Sequence, residues 1–242
     1  MTVQGGLCEI SRECAHFRTP CRTWRAVNRR GHVKGDSLLE MGAAGMVFPL
    51  FSASNVFKNI YVMDTTNTSV RHIKKWLEKG DEATDWSHAA KLTCELEGNA
   101  DGWQEKEEQV RRAVKGVFRY NLSDEGSKES VPIPKVDCVL MVYFLNGVCR
   151  TKEDFKVNLK TFTSWLKVGG YLVFFIALNM TFFKIGDHKF STLAVNEKFV
   201  RKAINNAGFV IEKDKIIPTS VESDNVDYED LHFIVARKVK DA

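Results

Sequence analysis

The residue types best suited to chemistry in this sequence are a glycine turn and a carboxylate that each follow an apolar segment. Gly42 and Gly45 come after Leu38-Leu39-Glu40-Met41, and Asp64 ends the segment 59–64. In a parallel sheet such a turn lets the backbone approach a ligand, and an acid about 20 residues later accepts the hydroxyls of a ribose. The spacing therefore predicts an adenosine-containing cofactor. An alternative is that Asp64 only caps the helix that follows it.

Apolar segments alternate with amphipathic ones from residue 35 onward, which predicts an α/β domain over residues 35–242. The last two expected strands have no helix between them, which favours a terminal hairpin with an antiparallel strand in the sheet. We expect helices at 46–54, 66–79, 104–118, 152–166 and 196–207. We expect strands at 37–41, 59–63, 89–96, 136–144, 171–178, 209–217 and 231–237.

Residues 1–34 differ from the rest of the sequence because they are rich in arginine and contain only two acids, Glu9 and Glu13. No apolar period persists in this segment. We expect a poorly ordered basic arm. An organelle transit peptide, which is also rich in arginine and poor in acids, is the alternative.

The overall composition excludes several classes of protein. The chain has 242 residues, 44% of them hydrophobic and 27% charged, with a net charge of +4. This mild charge does not predict a nucleic-acid partner, and no apolar segment reaches the length of a membrane span. The six cysteines include no pair with the spacing CxxC, which is typical of free thiols in a reducing compartment. We expect a cytoplasmic monomer with a small-molecule ligand.

Several longer motifs occur between Gly35 and Lys238. They are Asp85-Trp86-Ser87, Glu95-Leu96-Glu97-Gly98-Asn99, Glu105-Lys106-Glu107-Glu108, Arg112-Ala113-Val114-Lys115, Pro134-x-x-Asp137-Cys138-Val139-Leu140, Leu166-Lys167-x-Gly169-Gly170, Ile185-Gly186-x-x-x-Phe190-Ser191 and Ile234-Val235-Ala236-Arg237-Lys238. Together they resemble the nicotinamide, phenylethanolamine and indolethylamine N-methyltransferase family, and the nicotinamide and indolethylamine branches most of all.

The resemblance implies a seven-stranded, doubly wound, Rossmann-like methyltransferase sheet with an antiparallel terminal strand. It also implies the cofactor S-adenosylmethionine. Gly42 matches the turn under the amino-acid part of this cofactor, and Asp64 matches the acid that holds the ribose. Ser69 matches a polar position nearby, and Phe48 replaces a tyrosine beside the cofactor.

Further positions follow from the same resemblance. Asn121 and Leu122 match an acid and its neighbour beside adenine, and Val142 replaces a small hydroxyl residue at the end of the fourth strand. Ile176 matches a substrate-facing position that is an aspartate in the nicotinamide branch and apolar in the indolethylamine branch. Thr192 keeps the hydroxyl of a serine near the substrate. The implied reaction is methyl transfer to the nitrogen of a small aromatic amine or pyridine.

Two departures from the family leave a second function open. The family turn Gly-Ser-Gly-Pro is here Gly42-Ala43-Ala44-Gly45, and residues 1–34 lack the tyrosine-bearing helices that cover the cofactor in the family. If Ala44 takes a left-handed conformation in place of the second family glycine, the strain costs about 1–2 kcal/mol. The alternative is that the turn takes another route through Gly45. The alternative to an active enzyme is therefore a degenerate member that keeps the fold and acts, if at all, as a binding protein.

Overall fold

The computed structural model describes Thr23 and residues 31–42, 44–122, 131–218 and 223–241. The expected arm over residues 1–34 lies mostly outside these described residues. The chain divides into two compact units, Met1–Ile133 and Pro134–Ala242. The domain boundary predicted at residue 35 stays a prediction.

The first unit contains three parallel strands, β1 (Ser37–Met41), β2 (Asn59–Asp64) and β3 (Val114–Arg119), with β2 between the other two. Its core includes the rings of Phe51 and Trp76, whose centroids lie 5.8 Å apart. From residue 31 onward, the described part of this unit contains the helices α1 (Phe48–Ala53), α2 (Asn67–Leu77), α3 (Ser87–Glu97) and α4 (Trp103–Ala113), with a 3-10 turn at Ala100–Gly102.

The strand predicted at 89–96 is wrong, because these residues form helix α3. Ala89, Ala90, Thr93 and Cys94 are buried at helical spacing, and Thr93 donates a hydrogen bond to the carbonyl of Ala89. Gly98 ends the helix in a left-handed conformation. The third strand is β3. Its residues overlap the end of the helix predicted at 104–118, so that part of the helix prediction is wrong.

The second unit contains the strands β4 (Val136–Val142), β5 (Leu166–Ala177), β8 (Phe209–Pro218) and β9 (Asp230–Lys238). Strands β4 and β5 are parallel, whereas β9 pairs antiparallel with both β5 and β8. This arrangement confirms the predicted terminal hairpin. The helices are α5 (Phe144–Val148), α6 (Lys152–Thr163) and α7 (Glu197–Asn206).

A small antiparallel hairpin in the second unit was not predicted. Its strands are β6 (Phe182–Ile185) and β7 (His188–Ser191). The rings of Phe183 and Phe190 stack across it with their centroids 5.1 Å apart. The side chain of Asp227 accepts hydrogen bonds from the backbone N–H groups of Thr181 and Phe182, which fixes the start of the hairpin.

The fold class predicted from the sequence is confirmed. The described residues form an α/β protein with seven main strands, three in the first unit and four in the second, and the last strands are antiparallel. The described part of the chain contains no helix that is long and apolar enough to cross a membrane.

Candidate functional site

The glycine turn after β1 closes against the end of β2. The N–H group of Gly42 donates to the carbonyl of Met63 at 2.8 Å. Gly42, Ala44 and Gly45 all have positive φ angles, of 79°, 50° and 83°. The strain anticipated for Ala44 is therefore present, and it costs about 1–2 kcal/mol because the Cβ of an L-residue crowds the backbone in this region.

The carboxylate of Asp64 holds this turn closed. Asp64 is only 4% exposed at the end of β2. One of its oxygens accepts the N–H group of Ala44 at 2.8 Å, and the other accepts the N–H group of Thr66 at 3.0 Å. Each carboxylate oxygen can accept more than one hydrogen bond. Asp64 can therefore receive further donors while it supports the turn.

The start of helix α2 lies directly beside Asp64. Thr66 is the N-cap of this helix, since its hydroxyl accepts the N–H group of Ser69 at 3.1 Å. The same hydroxyl donates to the Ser69 Oγ at 2.8 Å. The hydroxyl of Thr66 thus lies between Ser69 and the carboxylate of Asp64. The structure therefore brings the predicted residues Gly42, Asp64 and Ser69 together.

Helix α2 also presents a histidine to the turn. The Cβ of His72 would lie 3.7 Å from a Cβ added to Gly45. Burial, followed by the nearby charges of Arg71 and Lys75, lowers the pKa of His72. The imidazole beside the turn is consequently neutral at neutral pH.

The remaining predicted cofactor residues of the first unit are Phe48, Asn121 and Leu122. Phe48 is the first residue of α1, and its side chain is buried in the core of the unit. Asn121 and Leu122 follow β3, and the N–H group of the preceding Tyr120 donates to the carbonyl of Asp64 at 2.8 Å. Residues 123–130, which come next in the sequence, lie outside the described part of the chain.

We expect Ala44→Gly to leave the protein as stable as before or to stabilise it by up to about 1 kcal/mol, because the relief of strain exceeds the added entropy of the unfolded chain. Ala203→Gly, inside helix α7, is the matched control and should cost about 1 kcal/mol. Urea unfolding measures both variants. An equal loss in the two would contradict a left-handed Ala44.

The second unit has its own strained residue at the end of a strand. Val142, a predicted cofactor residue, is the last residue of β4 and is buried. Tyr143 follows with φ of 56°, and its N–H group donates to the carbonyl of Phe175 at 3.0 Å. A bulky residue in this conformation is uncommon, and such strained residues cluster at active sites and ligand-binding sites.

Asn146 is fully buried in α5 and joins three segments of the second unit. Its Nδ2 donates to the carbonyl of Ala177 at 3.0 Å and to that of Leu193 at 3.3 Å. Its Oδ1 is also buried and has no hydrogen-bond partner among the described residues. A buried acceptor of this kind is rare and is suited to the N–H group of a ligand.

An apolar cluster surrounds the end of β5. Its buried members are Ala177, Met180, Tyr228 and Leu231, and Tyr143, Phe183, Ile217 and Val226 pack against it. We call this set, together with Asn146, the acceptor region. The named members of the cluster carry no carboxylate and no imidazole.

The two predicted substrate residues have different positions relative to the acceptor region. The hydroxyl of Thr192 donates to the carbonyl of Met180 at 2.8 Å, so Thr192 borders this region. Ile176 is fully buried, and its side chain lies on the opposite face of β5 from that of its neighbour Ala177. The substrate roles of both residues stay predictions.

The cysteines of the second unit are unsuited to nucleophilic chemistry. Burial raises the pKa of Cys149 to about 11 and that of Cys138 well above its ordinary value. Both thiols therefore stay protonated at neutral pH, and a protonated thiol is a poor nucleophile.

Three residues of interest were not identified from the sequence: Glu40, Tyr143 and Asn146. Glu40 is a 1% exposed acid in β1, two residues before Gly42. An acid within an apolar strand was a signal that the sequence did contain. Asn146 gave no comparable signal, because its partners lie 31 and 47 residues away along the chain.

Comparison with known sequences finds one family. The profile of the NNMT/PNMT/TEMT family matches residues 19–239. Nicotinamide N-methyltransferase of Homo sapiens is 37% identical over 207 residues, which cover 86% of this chain and 78% of that protein. Indolethylamine N-methyltransferase of Oryctolagus cuniculus is 33% identical over 208 residues, which cover 86% and 79%.

Comparison with solved structures finds the same fold. An S-adenosylmethionine-dependent methyltransferase from Clostridium acetobutylicum superposes with a TM-score of 0.56 at 10% sequence identity. The superposition covers 96% of this chain and 95% of that one. At such low identity the likeness supports the fold alone.

Proposed function

Since the chain belongs to the NNMT/PNMT/TEMT family, we propose that it transfers a methyl group from S-adenosylmethionine to the nitrogen of a small aromatic amine or pyridine. The observation that carries this proposal is the buried carboxylate of Asp64 on the glycine turn. Relatives at 33–37% identity named as nicotinamide and indolethylamine N-methyltransferases support the class of acceptor.

The residues of the turn fit S-adenosylmethionine. Asp64 would accept the ribose hydroxyls with the lone pairs that Ala44 and Thr66 leave available, and Gly42 would allow the cofactor close to the backbone. Ser69 would support the ribose end, and Asn121 would accept the adenine amino group. The cofactor role of Val142, at the end of β4 in the second unit, stays a prediction. When bound, the cofactor supplies an electrophilic methyl group on a sulfonium.

The acceptor region fits an aromatic nitrogen compound. Tyr143, Met180 and Tyr228 offer apolar and aromatic surface for a ring, and aromatic faces also attract a methylated cation. The Oδ1 of Asn146 would accept an N–H bond of the amine or amide.

The chemistry requires positioning more than proton transfer. S-adenosylmethionine held by Asp64 and Gly42 would supply the methyl group, and the acceptor nitrogen would need only its lone pair aligned with that group. A pyridine nitrogen has no proton to lose, and an amine loses its proton to water after transfer. The absence of carboxylates and imidazoles from the named cluster members is consistent with this requirement. The chain contributes alignment and exclusion of water.

A methyl-transfer assay tests the proposal. Purified protein with methyl-labelled S-adenosylmethionine is incubated with nicotinamide, tryptamine, phenylethanolamine or quinoline, and products are separated by mass. We expect transfer to at least one of these acceptors. Transfer to none of them, in a protein that binds the cofactor by calorimetry, would overturn the proposed activity.

A second candidate function is that of a non-catalytic family member. It is favoured by the strained Ala44 and by the fact that both oxygens of Asp64 already accept backbone N–H groups. In that case Asp64 serves the turn alone. Calorimetry would then show no cofactor binding by the folded protein.

A further inference from the structure

A group of charged and polar side chains, partly exposed except for its histidine, joins β8, β9 and helix α7. His232 of β9 has a fully buried side chain, and its Nε2 lies 2.8 Å from the Oδ1 of Asp214 in β8. Arg201 of α7 binds the same carboxylate with two nitrogens, at 2.5 and 3.0 Å. Glu197 pairs with Arg201 at 2.7 Å. We call these four residues the histidine network.

The second ring nitrogen of His232 makes the network sensitive to protonation. The Nδ1 is buried and has no hydrogen-bond partner among the described residues. In the neutral ring that donates from Nε2 to Asp214, the Nδ1 carries only a lone pair. Protonation would create a buried N–H donor without an acceptor, and burial of an unsatisfied donor destabilises the folded state.

The network lies next to the acceptor region along the same strand pair. His232 faces Ile176 of β5 in the register of the sheet, and the adjacent Leu231 faces Ala177. Leu231 and Ala177 are buried members of the acceptor region. The N–H group of Leu178 also donates to the carbonyl of Asp230 at 2.8 Å. A displacement of β9 at His232 would therefore move the wall of this region.

The surroundings of His232 set the direction of its titration. The face of β5 that carries Phe174 and Ile176 packs against the apolar ring of Phe155 in α6, whose centroid lies 6.3 Å from that of Phe174. The charged groups near the imidazole are Asp214, Arg201 and Glu197. Burial outweighs the attraction of Asp214 and lowers the pKa of His232.

We propose that His232, held by Asp214 and Arg201, is a positioning residue for the acceptor region, and that protonation of its imidazole releases this hold. The acceptor role of the region rests on the proposed function above, whereas the release itself does not. Because the pKa of His232 is lower in the folded chain than the ordinary imidazole value, its contribution to stability is complete above that ordinary value. The contribution is lost as the pH falls from there toward the lowered pKa.

Hydrogen exchange of the full chain without ligand tests the release. We compare peptides covering 174–180 and 228–235 at about pH 7.5 and about pH 5.5, after correction for intrinsic exchange, since an ordinary imidazole titrates between these values. Exchange in both peptides should be about threefold or more faster at the lower pH, because protonation of His232 removes stability from the folded segment. Peptides of β2 in the first unit should change little.

His232→Phe keeps a ring in the site and removes the titrating group, so its exchange should no longer depend on pH. His32→Gln removes another imidazole in the first unit and should leave the wild-type response unchanged. A pH response that persists in His232→Phe, or that is absent or reversed in the wild type, overturns the proposal.

Wild-type protein alone supplies a second measurement if His232→Phe does not fold. The imidazole carbon resonance of His232, followed by NMR with labelled histidine, should titrate below the ordinary imidazole pKa and together with the change in exchange. Two separate midpoints would contradict the proposal.

The catalytic consequence is a separate readout. If methyl transfer is found, the KM for the acceptor should rise more steeply on acidification in the wild type than in His232→Phe, and kcat should change in parallel in both. A KM profile that is the same in both proteins overturns the positioning role. A protein that transfers no methyl group at any pH fails the proposed function and leaves the exchange result to decide the release.

Discussion

Asp64→Ala should raise the Kd for S-adenosylmethionine about a hundredfold, which corresponds to about 2.7 kcal/mol. The physical reason is the loss of two hydrogen bonds from ribose hydroxyls to a charged, 4% exposed carboxylate, each of which contributes about 1.5–3 kcal/mol. The variant also loses the acceptors of the N–H groups of Ala44 and Thr66. Isothermal calorimetry on the folded protein measures the affinity.

A control must separate the loss of the ligand contact from the loss of stability. Thr151→Ala serves this purpose because Thr151 is the N-cap of α6 in a capping box with Asp154, and its loss costs about 1 kcal/mol of stability. Thr151 lies in the second unit and belongs to neither candidate site. We expect it to melt at a lower temperature than wild type with an unchanged Kd.

The outcome that would contradict the ribose role is specific. If Asp64→Ala melts early and yet binds the cofactor with wild-type affinity, the carboxylate only closes the turn. If neither wild type nor variant binds, the non-catalytic candidate gains support, because Asp64 then serves the two backbone N–H groups alone.

The spacing of Gly42 and Asp64 was enough to predict that the turn and the acid meet. Parallel strands that follow each other in a sheet bring their carboxyl ends to the same edge, and the hydrogen bond from Ala44 to Asp64 realises this contact. The strain at Ala44 was anticipated from the family resemblance instead, because Ala44 stands where the family turn has its second glycine. A route of the turn through Gly45 was the alternative, and the φ of 50° at Ala44 shows that the strained conformation is present.

The boundary between α4 and β3 could not be predicted in the same way. Helix α4 ends at Ala113 and the strand begins at Val114 without a glycine or proline between them. Local sequence signals end a helix through such residues, and none is present here. The tertiary pairing of β3 with β2 decides the boundary instead. Because the residues of β3 were predicted as part of a helix, the third strand was predicted one segment too early, at 89–96, where the structure has helix α3.

The acceptor region depends even more on tertiary contacts. Tyr143, Asn146 and Tyr228 come from separate segments of the second unit, and only the folded chain places them around the end of β5. The family resemblance pointed to Ile176 and Thr192 because these positions follow recognisable motifs. The amide of Asn146 sits in a short helix whose sequence, Phe-Leu-Asn-Gly-Val, contains no functional pattern.

Asn146→Leu should lower kcat/KM for the acceptor about a hundredfold and leave the Kd for S-adenosylmethionine unchanged. The loss of the buried Oδ1 removes a hydrogen bond to the acceptor, and a site built to bind an N–H group discriminates strongly through that bond. The variant should also lose about 2–4 kcal/mol of stability, because the carbonyls of Ala177 and Leu193 lose their donor. Steady-state kinetics and urea unfolding measure the two effects.

Lys238→Met distinguishes these two consequences. The buried Nζ of Lys238 donates to two backbone carbonyls of the same unit, those of Thr163 and Leu166, each at 3.0 Å. The variant therefore suffers a comparable loss of hydrogen bonds to carbonyls without touching the acceptor region. If Lys238→Met loses as much kcat/KM as Asn146→Leu at equal stability, the effect of Asn146 is structural. If only Asn146→Leu loses activity, the amide oxygen contacts the acceptor, and compounds without an N–H donor, such as quinoline, should be affected less than tryptamine.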